Sequence, residues 1–219
     1  MSLPVAHRVV AIDGPAASGK SSVARELARQ IGYDYVNSGA MYRAVTWHVL
    51  ERGISPTDGA AIARLLETSR IDCDLDKDGS RILIDEVDPA EHLRDDRVNE
   101  EVSLVSSEPR VREILVAKMR AYANDRDVVM EGRDIGSVVF PETPYKFYID
   151  ASPDVRLRRR IAQDQRDQIA ARDRADSSRR ASPLIIAEDA HVIDSSNLTI
   201  EGVVGEIIGR LKMKGMKFN

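Results

Sequence analysis

The chain has 219 residues, a formal net charge of −4 and one cysteine, Cys73. That length can bury a core of its own and favours one compact unit, while the charge argues against nucleic acid as a partner, because duplex binding wants a broad basic face. A lone thiol excludes an intramolecular disulfide or a Cys-cluster metal site, so Cys73 reads as a small buried hydrophobe. With no basic and apolar leader in Met1-Ser2-Leu3-Pro4 and no apolar run near the ~20 residues of a membrane span, a soluble, cytoplasmic protein without a membrane partner is expected.

In chain order, Arg8 to Asp13 reads as a buried parallel strand. It feeds Gly14, Pro15, Ala16, Ala17, Ser18, Gly19, Lys20 and Ser21, which fit the phosphate-binding pattern G-x-x-x-x-G-K-[ST] without departure; from Ser22 to Ile31 the chain reads as the helix this loop opens. Glycines let the loop turn its N–H groups inward, and the helix N-terminus adds a positive dipole end. Lys20 is expected to reach the β- and γ-phosphates of ATP and Ser21 to hold Mg²⁺, with Gly14 through Ser22 as the nucleotide-binding set.

Tyr33 to Asn37 is the next short strand, and Ser38-Gly39-Ala40 opens a helix on which Ser38 reads as the N-cap and Arg43 sits in the second turn. Arg43 is either a ligand group at the C-terminal edge of the sheet or a solvated helix arginine. A helix follows from Gly59 to Ser69, then a β-hairpin of 71–75 and 81–85 around Lys77-Asp78-Gly79-Ser80, which interrupts the βαβ alternation and reads as an insertion. Helices are expected at 95–103 and 109–122, the second with Pro109 in its first turn and Val111, Ile114, Leu115 and Met119 on one face. Arg110 and Arg112 at its start point to an anionic or polar partner, since a helix N-terminus disfavours cations.

Asp127 to Glu131 is the third core strand. It ends in Gly132-Arg133-Asp134-Ile135-Gly136, a charged turn at a strand's C-terminal end and so a site candidate; the plain alternative is a turn salt bridge. Tyr145 to Asp150 is the fourth strand, and Ser152-Pro153 caps a helix bearing Arg156, Arg158, Arg159 and Arg160. A polar stretch continues through Arg172, Arg174, Asp176, Arg179 and Arg180. Arginine outnumbers lysine 25 to 7 in the chain, and the crowding at 156–180 suits bidentate contact with phosphate oxygens. The stretch reads as a solvated helical face, a nucleic-acid patch or a phosphate lid; the lack of interleaved aromatics counts against single-strand binding. A last strand at 190–194 and an amphipathic helix at 200–212 close the chain.

A doubly wound sheet with a phosphate loop serves GTPases, ATPases, hydroxyl kinases and nucleotide kinases alike. No Asn-Lys-x-Asp guanine signature occurs, and the chain is short for an ATPase motor. A hydroxyl acceptor benefits from a carboxylate base, whereas a phosphate monoester is already nucleophilic near pH 7 and asks for arginines.

The runs Ile12-Asp13-Gly14-Pro15, Ser38-Gly39-Ala40-Met41-Tyr42-Arg43, Pro109-Arg110-Val111-Arg112, Gly132-Arg133-Asp134-Ile135-Gly136-Ser137-Val138-Val139-Phe140-Pro141 and Arg172-Asp173-x-x-Asp176-x-x-Arg179 resemble the bacterial cytidylate kinase family in their order and over nearly the whole chain. The resemblance implies an α/β, P-loop NTPase-type, doubly wound five-stranded parallel sheet. It divides one domain into a core of 1–58, 105–152 and 186–219, an NMP-binding insertion of about 59–104 and an Arg-rich lid of about 153–185. It also implies transfer of the γ-phosphoryl of ATP to CMP or dCMP by a monomer. Ser38, Arg43 and Arg133 would lie on the acceptor side, the two arginines on its phosphate. Ser103, placed by its offset from Arg110, would face cytosine together with Arg110 and Asp134, while Arg172, Asp176 and Arg179 would close over ribose and phosphates. Lys20, Arg133, Arg156 and Arg159 are the expected catalytic cations. A phosphate-loop kinase for another small acceptor and an Arg-rich nucleic-acid-binding module are the competing readings.

Overall fold

A computed structural model describes residues 8–76, 79–162 and 184–217. Five parallel strands form one sheet in the order β2 (Asp34–Asn37), β5 (Val128–Gly132), β1 (Val9–Asp13), β6 (Tyr145–Asp150) and β7 (His191–Asp194). The doubly wound five-stranded expectation is thereby met. Parallel strands need both faces covered, and β1 shows how the sequence provides for it. Val9 and Ala11 point into one core and Val10 and Ile12 into the other, all four buried.

The second core is roofed by α1 (Lys20–Ile31) and α7 (Ile200–Met213). The first takes α2 (Ser38–Glu51), α3 (Gly59–Thr68), α4 (Asp96–Val105) and α5 (Pro109–Tyr122), with Met41, Val45, Ile62, Val102, Leu115 and Met119 buried. The inserted hairpin is β3 (Ile71–Asp76) and β4 (Gly79–Ile84), antiparallel with Ile71 opposite Ile84. Ile71, Ile82 and Ile84 carry the same core out to it. The Cys73 side chain and the hairpin residues Lys77 and Asp78 lie outside the described residues.

Helix α6 (Pro153–Ile161) leaves β6 with Ser152 as its N-cap, the Ser152 hydroxyl accepting from the Val155 N–H at 3.4 Å. One cap differs from expectation. Asn37, not Ser38, caps α2: its side-chain oxygen accepts from the Ala40 N–H at 3.0 Å. Ser38 is already helical, and its hydroxyl donates instead to the Glu131 carbonyl at 2.8 Å, tying α2 to the end of β5.

The chain runs from β1 out to β2 on one side and from β5 across to β6 on the other, so the order reverses at β1/β5. The crevice beyond the C-terminal ends of those strands is where open α/β sheets bind ligands. The loops after β1, β2, β5, β6 and β7 all open there.

Candidate active site

The phosphate loop begins with Gly14 at φ +154°, where an added Cβ would stand 2.1 Å from the Ile149 carbonyl oxygen. Only glycine lets the chain pass that close to β6. Gly19, left-handed at φ +90°, is the N-cap of α1, so the helix begins at Lys20, two residues earlier than the periodicity suggests. Lys20 is buried and donates to the Pro15 carbonyl at 3.1 Å, which folds its ammonium back over the loop. The Ser18 hydroxyl is buried and has no hydrogen-bond partner among the described residues. Buried polar groups are rarely left so, and an incoming phosphate oxygen is the acceptor such a loop is built to receive.

Two arginines of α6 brace the loop from outside. Arg156 donates to the Ala16 carbonyl at 3.4 Å and to that of Ala151 at 3.2 Å. Arg159 donates to the Ser18 carbonyl at 3.1 Å and to the Ser195 carbonyl at 2.8 Å, while the Ser195 hydroxyl also donates to the Ser18 carbonyl at 2.8 Å. Ser195, just beyond β7, has no motif around it and escapes a sequence reading. Arg172, Asp176 and Arg179 lie outside the described residues.

Across the loop, a pocket is lined by Ser21, Ser38, Arg43, Ser103, Arg133 and Asp134, with Asn37, Tyr42, Ser106 and Glu131 among its other walls. Arg133 donates to the Gly14 carbonyl at 3.0 Å, and Arg43 to its own helix at the Gly39 carbonyl at 3.1 Å. A Cβ at Gly132 would lie 2.5 Å from the Ser38 hydroxyl and 2.8 Å from the Ile135 side chain, so the turn's first residue has no room for a side chain. Of the residues expected on the acceptor side, Arg110 alone is outside this lining. It pairs with Glu113 at 2.7 Å on the exposed side of α5.

The guanidinium that does reach Asp134 is Arg112. Both side chains are buried and form an ion pair; Arg112 also donates to the Ser106 carbonyl at 3.3 Å and lies over the Tyr42 ring, 5.4 Å from its centroid. The pocket's far wall is therefore a carboxylate with its own arginine behind it. A helical signal for Arg112 was present: it stands three residues before Leu115 and seven before Met119, on the buried stripe, whereas Arg110 leads into Glu113.

Glu131 is the second residue without a motif. It is buried at the end of β5, in register with Ile12 of β1 and Asn37 of β2, and accepts the Ser21 hydroxyl at 2.8 Å. A hydroxyl and a carboxylate are hard oxygen donors of the kind Mg²⁺ takes, and Mg²⁺ commonly completes its shell with water and substrate phosphates. Among the described residues no group of three or more His, Cys, Asp or Glu is placed to hold a metal ion. Beside it, Tyr35 is buried, and burial together with the Glu131 charge holds its hydroxyl protonated, well above the ordinary tyrosine range.

A parallel sheet with a phosphate loop at its switch point, braced by arginines and facing a polar pocket, defines a phosphate-loop kinase. The family model described as "Cytidylate kinase" matches residues 10–213, and the chain belongs to the cytidylate kinase family. It is 43% identical over 209 residues to a cytidylate kinase of Caldanaerobacter subterraneus subsp. tengcongensis, covering 90% of this chain and 92% of the relative. A cytidylate kinase of Pelotomaculum thermopropionicum is 42% identical over 214 residues, covering 92% and 95%. Among solved structures, a gluconokinase from Sinorhizobium meliloti 1021 is similar with TM-score 0.50 at 14% identity, covering 95% of this chain and 93% of that one, a likeness in fold alone. The chain is thus an enzyme that uses ATP as phosphoryl donor. Among the described residues no helix is long and apolar enough to cross a membrane.

Proposed function

We propose that the chain transfers the γ-phosphoryl of ATP in line to the phosphate of CMP or dCMP, giving CDP or dCDP, with the acceptor base against Asp134 and its phosphate toward Arg43 and Arg133. The buried Arg112–Asp134 pair on the pocket wall carries this reading. Cytosine presents an N4 amino donor that a carboxylate accepts, while the O4 of uracil would meet the same carboxylate as an acceptor facing an acceptor. Arg112 pairs with Asp134 and fixes where its carboxylate points, and Ser103 and Ser106 offer further polar contacts beside it.

The acceptor phosphate is largely dianionic near neutrality and needs no general base. The protein's task is to align two phosphates and spread the charge that develops between them. Lys20 exchanges the Pro15 carbonyl for the β- and γ-phosphates, and Arg133 exchanges the Gly14 carbonyl for the phosphate at the crossing point; both begin on uncharged carbonyls, which a phosphate oxygen outcompetes. Magnesium, when bound, neutralises charge between the phosphates. Ser21 would hold it through its hydroxyl oxygen, whose proton Glu131 accepts.

Arg156 and Arg159 fix the loop and supply positive charge on its outer side. The insertion of about 59–104 forms the acceptor side and 153–185 the Arg-rich lid, with Arg172, Asp176 and Arg179 assigned there on family resemblance. A cytoplasmic monomer acting on free nucleotides, without nucleic acid, completes the reading. The test is ADP release from Mg-ATP with CMP, dCMP, UMP, AMP or no acceptor. CMP and dCMP far above the rest is the expected pattern; equal ADP release without acceptor refutes it.

A further inference from the structure

Asp13, the last residue of β1, is a buried carboxylate that the transfer step does not use. One of its oxygens accepts the Ile135 N–H and the other the Gly136 N–H, each at 2.8 Å. Those amides open the short helical turn Ile135–Val139, directly after Arg133 and Asp134. At the turn's other end Arg120 donates to the Val138 and Val139 carbonyls at 3.0 and 2.9 Å. A five-residue turn leaves amides at its start and carbonyls at its end without internal partners. Here a carboxylate takes the first set and a guanidinium the second. The residue after Asp13 is Gly14, so the same side chain is anchored in the phosphate loop.

We infer that Asp13 is a positioning residue: its two-amide grip sets the acceptor turn in register with the phosphate loop, so that the two phosphates meet in line. Arg133 also bonds the loop, at the Gly14 carbonyl, but it leaves that carbonyl when it takes up a phosphate. In the loaded enzyme the Asp13 tie stays in place, since its two amides are not phosphate ligands in this reading. Space confirms how closely this joint is built. A Cβ at Gly136 would lie 3.1 Å from the stem of Lys146 and 3.4 Å from the Asp13 carboxylate.

The grip requires the ionised form, since a protonated acid offers its hydroxyl to an amide N–H and one bond is lost. Burial first of all, with the Asp134 charge adding to it, raises Asp13 to about 7, against the opposing pull of the two amides and of Lys20 on α1. Other charges at the joint are Arg133 on the turn, Lys146 on β6, whose ammonium is engaged by Asp189 at 2.8 Å, and Glu131 on β5. Alignment is therefore lost on acidification through neutrality.

This inference rests on the two-phosphate transfer proposed above but not on the identity of the base. It is tested with the monophosphate that the wild type turns over fastest. Asp13→Asn keeps one acceptor and turns an N–H toward the other amide. Expected at about pH 8 is a loss of about tenfold or more in kcat, the size a sub-ångström misplacement brings. ATP and acceptor, each titrated alone by calorimetry, should keep their affinities within about threefold, because only the transition state needs the alignment. Retained kcat, or affinities that fall in step with kcat, overturns it.

A second measurement needs no variant. The acceptor's own second ionisation gives an acid limb near 6, which moves when the acceptor is replaced by its phosphorothioate analogue. The wild-type kcat profile should show a further acid limb that stays put. A single limb that moves with the acceptor overturns the assignment.

Discussion

Replacing Asp134 by Asn separates what that carboxylate does for the fold from what it does for the base. Both Asp134 and Arg112 are about as buried as core residues, at 3% and 5% exposure. Removing one charge of such a pair leaves the other desolvated and uncompensated, which costs about 3–5 kcal/mol. Arg112 keeps the Ser106 carbonyl and the Tyr42 ring in the variant, so the lower end of that range is expected, about 3 kcal/mol, read as a shift of the urea midpoint at unchanged slope. Substituting both, Arg112→Met with Asp134→Leu, removes the stranded charge and should recover most of that loss. Selectivity should not recover. A hydrogen bond to a charged group contributes about 1.5–3 kcal/mol, so kcat/KM for CMP should fall about tenfold to a hundredfold in Asp134→Asn, with UMP affected less. An urea midpoint within about 1 kcal/mol of wild type would show that Arg112 does not depend on Asp134. An unchanged CMP/UMP ratio would show that the carboxylate does not read the base.

Lys20→Ala removes the ammonium over the loop and should lower kcat by about a hundredfold or more, with circular dichroism and melting close to wild type; ordinary turnover would refute its placement on the transferred phosphate. Arg159→Ala frees the Ser18 and Ser195 carbonyls it braces, so the KM for ATP should rise while that for the acceptor stays, a split visible in initial-rate kinetics. Gly132→Ala meets the Ser38 hydroxyl and Ile135 and should cost about 1–3 kcal/mol of stability as overpacking does, along with a higher acceptor KM. A wild-type melting point would show that the turn can give way. The raised Asp13 also predicts a sign in stability against pH. Between the unfolded carboxylate value near 4 and its folded value of about 7, the folded chain holds a proton the unfolded chain has lost. Its contribution to stability therefore falls as pH rises across that window, by about 1.4 kcal/mol per unit at most, and is level on either side. Chemical denaturation of wild type against Asp13→Asn isolates it; a difference that does not change between about pH 4 and 7 would refute the shift.

Much of this protein is local and therefore readable from the chain. The phosphate loop is a contiguous run whose function depends on its own backbone, so Gly14 to Ser21 identifies it before any folding is considered. The central strands β1 and β5 announce themselves as largely apolar runs because a parallel sheet is buried on both faces there, and the alternate residues of β1 do supply two cores. Pro109 and Ser152 mark helix starts for reasons confined to one turn. The Ser38 cap is a local rule that lost to a neighbour, since Asn37 offers a side-chain oxygen one residue earlier and β5 claims the Ser38 hydroxyl.

What the sequence could not decide is which side chains separated by a hundred residues share a space. Helical spacing turns Arg110 and Arg112 about 200° apart and puts Arg112 on the stripe of Leu115 and Met119, but only the docking of α5 brings that stripe against Asp134. Glu131 and Ser21 meet, and Asp13 reaches Ile135 and Gly136, because β5 and β1 lie side by side in a particular register. Ser195 joins the loop through the last strand at the sheet's edge. Composition and spacing determine the chemistry available to this chain. Register and helix rotation, fixed by burying both sheet faces at once, determine which of its charges face one another.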